Sequence, residues 1–234
     1  MTLPELLPCK LPQRLETIFY DAIISSEKSE VEIGFHLCGT SLEDAEPARL
    51  CLGEKCFVKI TDCAEVGKAH FGSFHTHPDA AIPIEKVPSD TDVDVALERG
   101  DRIDCIGFMD GPSVKVLCWC PPVDYEKKLK LSWEYGQWQW DLRVWSRRVE
   151  DWNNEYEKYL KAKERYEVVK ELPVRPWELH RHLEELKEQE KLLNEWRERL
   201  ENERKKILRE AEELREKALS ILEKYADCLC ESKI

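Results

Sequence analysis

The chain has no run of about 18 apolar residues, so nothing in it reads as a membrane-crossing helix. Its N-terminal stretch, MTLPELLPCK, lacks a basic segment followed by an apolar core, so no signal peptide is read and a cytoplasmic location is expected. No basic face stands out. Net charge is -12, and residues 1–130 carry 14 basic against 23 acidic side chains, so no nucleic-acid partner is expected. Methionine (2), asparagine (4) and glutamine (4) are scarce while 36% of residues are charged, a composition that leans towards a hot habitat. Glycine is absent after Gly136.

Cysteine is not scarce: ten are present, at 9, 38, 51, 56, 63, 105, 118, 120, 228 and 230. Paired CxxC motifs are missing, which argues against a structural zinc knuckle. Without a signal peptide, buried free thiols are the expectation. The alternative is a set of disulfides in a heat-adapted protein, with Cys51 and Cys56 the best candidates.

Two segments follow different patterns. Residues 1–123 read as mixed α/β. Leu15, Ile18, Phe19 and Ala22 have helical spacing within Leu11–Ile24. Val31–Cys38, Cys56–Ile60, Ala69–Phe74, Ile103–Phe108 and Val114–Cys120 read as strands, with a turn at Asp110–Gly111–Pro112. Ser89 begins a helix that stops at Gly100. Pro121–Pro122 closes this unit. In residues 124–234, aromatics recur every seven positions at Trp138, Trp145, Trp152, Tyr159 and Tyr166. A break at 172–176 contains Pro173 and Pro176. A second seven-residue series then runs through Leu179, Leu186, Leu193, Leu200, Ile207, Leu214 and Ile221. Its companion positions are mixed and include Glu190, Arg197 and Arg204. The expectation is a separable antiparallel coiled-coil hairpin, whose partner is another protein or a second copy of the chain.

The chemistry-bearing residues lie in the first segment. His75 and His77, two apart at the end of a strand, present both imidazoles on one face and can grip one ion. Asp92, from the first turn of the next helix, completes a three-ligand set that leaves a fourth position for water, as in catalytic zinc sites. Asp90 and Asp94 are alternatives to it. Glu32, on an earlier strand, is placed to act as the base. His36 shares its face and reads as a packed or rim histidine. His70 is given no role.

The pattern Glu32-x(4)-Leu37-x-Gly39, His75-Thr76-His77-Pro78 and Ser89-x-x-Asp92 resembles the JAMM (MPN+) metalloprotease family over residues 10–123. The resemblance implies a curved β-sheet flanked by helices, with one zinc ion at its edge. It also implies an isopeptidase, deubiquitinase-like, that cleaves after the C-terminus of ubiquitin or a ubiquitin-like protein. His75, His77 and Asp92 would be ligands, Glu32 the acid/base, and Ser89 the hydroxyl that supports the oxyanion. Ten residues between Pro78 and Ser89 lengthen the loop beside the site. The interval from Glu32 to His75 leaves little room for the insertion by which eukaryotic members grip ubiquitin. A prokaryotic-type ubiquitin-like or sulfur-carrier protein therefore stands level with ubiquitin as substrate. Hydrolysis of a sulfur-carrier precursor or a small amide is the alternative activity. A metal-binding scaffold that recruits partners through the hairpin is the non-enzymatic alternative.

Overall fold

A computed structural model describes residues 6–48, 51–52, 63–78, 80 and 82–234. Among the described residues the fold is α+β, with one mixed sheet and four α-helices, two of them long. Helix α1 spans Gln13–Ser29. Strands β1 (Ile33–Cys38), β2 (Glu46–Pro47), β3 (Cys51–Leu52) and β4 (His70–His77) follow. Then come α2 (Asp90–Arg99), β5 (Ile103–Asp110), β6 (Ser113–Cys120), α3 (Tyr125–Lys170), α4 (Leu179–Tyr225) and β7 (Cys228–Lys233). The sheet order is β2-β1-β4-β5-β6-β7, and β3 also pairs with β1. Among the described strands only β4 and β5 run parallel, because α2 lies between them in the chain and returns it to the same end of the sheet.

Helix α1 buries Leu15, Phe19, Ala22 and Ile23, one helical stripe, against the sheet. Phe19 stacks on Phe74 at 4.1 Å, and Phe74 on Phe35 at 5.0 Å. Each such ring contributes roughly 1.5–3 kcal/mol by leaving water. The approach is close enough that a Cβ on Gly107 would meet the Ile23 side chain at 2.5 Å, so β5 needs glycine there.

The strand expected at Val31–Cys38 begins at Ile33, and β2, β3 and β7 were not anticipated. Cys56–Ile60 lies outside the described residues. The expected boundary at 123/124 is also displaced. One compact unit contains residues 1–140 and 212–234, and the other contains 141–211. The first takes in the start of α3, the end of α4 and β7, which pairs antiparallel with β6 from Cys120↔Cys228 to Lys115↔Lys233. Removing residues 124–234 would therefore strip an edge strand from the sheet.

Within the first unit, Trp138 Nε1 donates to the Leu214 carbonyl at 2.8 Å. Within the second, Trp145 does the same to Ile207 at 3.0 Å and Trp152 to Leu200 at 2.9 Å. Seven residues forward on α3 meet seven back on α4, so the helices are antiparallel and the tryptophan series faces α4. Arg148 pairs with Glu203 and Glu210. Glu190, Arg197 and Arg204 are exposed.

The free-thiol expectation fails for eight cysteines. Disulfides join Cys9–Cys230, Cys38–Cys63, Cys105–Cys118 and Cys120–Cys228. Neighbouring strands bring Cys105 opposite Cys118 and Cys120 opposite Cys228. No sequence spacing announces that proximity. The proposed partner Cys56 lies outside the described residues.

Candidate metal centre

Alternation along β4 divides its residues between two tasks. Phe74 and Thr76 point into the core. Thr76 Oγ1 donates to Ser26 Oγ of α1 at 2.6 Å and accepts from the Ile33 N–H at 2.9 Å. His75 and His77 point to the opposite face, at the carboxyl end of the strand. The chain then passes through a turn at Pro83–Lys86 and enters α2. Ser89 is the N-cap of α2: its Oγ accepts from Asp92 N–H at 3.1 Å, and Asp92 Oδ2 accepts from Ser89 N–H at 2.7 Å. This capping box fixes the Asp92 carboxylate at the helix N-terminus, where the backbone dipole favours negative charge.

His75, His77 and Asp92 form a group that could hold a metal ion, with ligand atoms all within 4.8 Å of one another. The Nε2 atoms of the two histidines are 3.0 Å apart. Asp92 lies 3.4 Å from His75 Nε2 and 3.9 Å from His77 Nε2. Tetrahedral bonds of about 2.0–2.1 Å place ligand atoms about 3.3–3.4 Å apart, so the triangle has the right size. Its chemistry fits as well. His77 Nδ1 donates to the Glu85 carbonyl at 2.6 Å, which selects the tautomer whose Nε2 lone pair faces His75. Asp90 Oδ1 accepts from Thr91 N–H, and Asp94 accepts from Ser132 Oγ at 2.9 Å, so neither joins this group.

The electrostatics tie these groups together. Burial lowers the His75 pKa, but the Asp92 carboxylate more than reverses this and raises it to about 9. Burial and the neighbouring His75 lower the pKa of His77. Burial works against the Asp92 carboxylate, yet the two histidines and Ser89 hold its pKa well below the usual range.

Glu32 immediately precedes β1. Gly34 lies opposite His75 in the antiparallel register, so Glu32 shares the face of the two histidines. Burial raises its pKa to about 7; His75 opposes the shift and Asp92 reinforces it. A half-buried carboxyl that senses both residues and titrates near neutrality can accept and return a proton.

Two features of the site escaped the sequence reading. Tyr135 of α3 donates its buried hydroxyl to the Pro88 carbonyl at 2.9 Å, directly before the capping box. Beneath the histidines lies a polar cluster. His36 is buried, with its pKa lowered to about 4 by burial and by His70, and its ring meets His70 edge-on at 4.6 Å. His70 bonds Asp101. Ser73 Oγ lies 2.5 Å from Asp101 and 2.8 Å from Asp104, and Trp119 Nε1 donates to Asp104 at 3.0 Å. A signal for Tyr135 was present: it falls three residues before Trp138, on the buried side of the same helix. Nothing in the sequence linked it to Pro88. Neither a comparison with protein-family models nor a search of curated proteins finds a match to this chain.

Proposed function

We propose that this protein is a zinc-dependent isopeptidase or peptidase that cleaves after the C-terminus of a ubiquitin-like protein. The observation that carries the reading is the convergence of His75, His77 and Asp92 on one point, with Glu32 on the same face. Two imidazoles and one carboxylate suit zinc, and three protein ligands leave a position for water or substrate. Zinc held there supplies Lewis acidity, polarising a scissile carbonyl and bringing the pKa of water to about 7. Glu32 takes the proton that water gives up as the C–O bond forms, and delivers it to the amine nitrogen as the C–N bond breaks. Ser89 Oγ accepts from Asp92 N–H, and its hydroxyl proton, which supports the Asp92 carboxylate, can turn to steady the carbonyl oxygen as charge develops.

The architectural part of the proposal is an MPN-like curved sheet carrying the site and an antiparallel coiled coil formed by α3 and α4. The test is incubation of zinc-loaded protein with ubiquitin-like conjugates and a linear fusion, with Glu32→Gln as control. Cleavage at the C-terminal residue of the ubiquitin-like moiety, lost in Glu32→Gln, is the expected result. Equal turnover in the two proteins would remove the mechanism.

A further inference from the structure

The inward tryptophans of α3 each have a carbonyl partner on α4. Its other two, Trp133 and Trp140, stand in water. Trp133 is 67% exposed and Trp140 is 62% exposed, with Leu129 at 55% and Val144 at 49%. These four share one stripe of the helix, because steps of four, seven and four return to the same side. Large aromatic rings rarely stay solvated on a lone surface and are enriched at protein interfaces.

The stripe has an internal symmetry about the midpoint between Gly136 and Gln137. Trp133 and Trp140 are equidistant from it, as are Leu129 and Val144, and as are Glu126 and Arg147. Such a face is complementary to itself when a second helix runs antiparallel across it. Trp133 then lies opposite Trp140 of the other copy, Leu129 opposite Val144, and acidic Glu126, which also pairs with Lys130 one turn along its own helix, opposite basic Arg147. That is the requirement of a two-fold interface, in which one patch serves both partners.

Gly136 supports this reading. Glycine in a helix interior costs about 1 kcal/mol relative to alanine. No atom lies within 4 Å of where its Cβ would stand, so packing inside this chain does not require it. At the symmetry point of an antiparallel pair, a missing side chain lets two backbones approach closely. We propose that the Leu129–Trp133–Trp140–Val144 face of α3 is where a second copy of this chain docks, antiparallel and centred on residues 136–137.

The proposal is independent of the metal centre, and its readout is mass in solution. Sedimentation equilibrium of the full chain should give twice the 27.6 kDa monomer. Trp133→Ser with Trp140→Ser should give the monomer, with unchanged circular dichroism and metal content. Glu126→Arg should weaken the dimer at least tenfold, and adding Arg147→Glu should restore it by reversing the pair. A wild-type monomer at every concentration reached, or a dimer that persists in the double serine variant, overturns the proposal. So does wild-type chain that binds only a different protein through this face. Failure of the Arg147→Glu rescue overturns the antiparallel register.

Discussion

Three neighbours decide the charge on Glu32: the surrounding apolar matter raises its pKa, His75 lowers it and Asp92 raises it again, leaving it at about 7. Under the proposed mechanism Glu32 is the base and works only when deprotonated, so kcat/KM should climb with pH and level off above an acid limb. A bound cation favours the carboxylate, which places the midpoint of that limb at or below about 7. In Glu32→Gln, zinc content should hold while kcat falls by roughly 100-fold or more; a mutant retaining the wild-type acid limb at full rate would assign it to another group. Asp104 offers a separate check. Ser73 has one hydroxyl proton for two carboxylates, Asp101 and Asp104, so a protonated Asp104 relieves the shortage. Burial raises its pKa to about 6, with Ser73 opposing the shift. Because this folded pKa exceeds the unfolded one, the stabilisation is full below about pH 4 and disappears as pH rises through about 6, on the order of 2–3 kcal/mol. Asp104→Asn mimics the protonated form and should flatten that part of the stability–pH curve, measured by urea denaturation. At this scale the proximity of His75, His77 and Asp92, a group that could hold a metal, was legible in the sequence, because strand parity and the helix cap fix where they point. The cluster of His36, His70, Asp101 and Asp104 was not, since its members meet only across strands and the loop ahead of β5.

Helix α2 owes its place to both ends: Ser89 caps the start, and Gly100 closes the finish with a φ of 72°. The cap is also the mount for Asp92. Ser89→Ala removes the Asp92 N–H to Ser89 Oγ bond, worth roughly 1 kcal/mol, and loosens the first turn that carries Asp92, the candidate ligand. Zinc affinity, measured by competition with a chelator, should drop about five- to tenfold; unchanged affinity would separate cap from metal site. Tyr135→Phe deletes the hydroxyl that holds the Pro88 carbonyl and leaves that acceptor buried, at a cost of about 1–3 kcal/mol. Thermal unfolding should show the loss, and zinc affinity should fall with it. Helix α1 was readable from its apolar stripe, α2 from its Ser89 cap and Gly100 stop, and strands β4, β5 and β6 from their apolar runs. β2 and β3 have two residues each, too few for any period. β7 reads Cys228–Leu229–Cys230–Glu231–Ser232–Lys233 directly after a helical series. It becomes a strand because β6 offers it an open edge, which only the tertiary structure reveals.

Among the described residues, four disulfides fasten the chain. Cys9–Cys230 and Cys120–Cys228 span 221 and 108 residues and hold β7 from both sides. Lys115 adds an ion pair to Glu231 at 2.9 Å. Disulfides that close loops this long stabilise mainly by restricting the unfolded chain, about 2–5 kcal/mol each. Reduction under native conditions should lower Tm by at least 10 °C, and Cys120→Ser with Cys228→Ser should account for part of the fall; a Tm indifferent to reductant would show the bonds absent in solution. Such pairing belongs to oxidising compartments or to the interior of heat-adapted cells. The domain division was legible only as far as composition changes, at residue 124, whereas packing returns the chain to its first sheet after residue 211. That return sets a timetable for synthesis. When Cys120 leaves the ribosome, β6 has an unpaired edge, and its neighbour is still 113 residues away at Lys233. At about 5–20 residues per second, the edge waits roughly 6–20 s for its last strand. During that interval the nascent sheet is open to any other strand in the cell, and Cys120, whose partner is Cys228, is open to the wrong thiol.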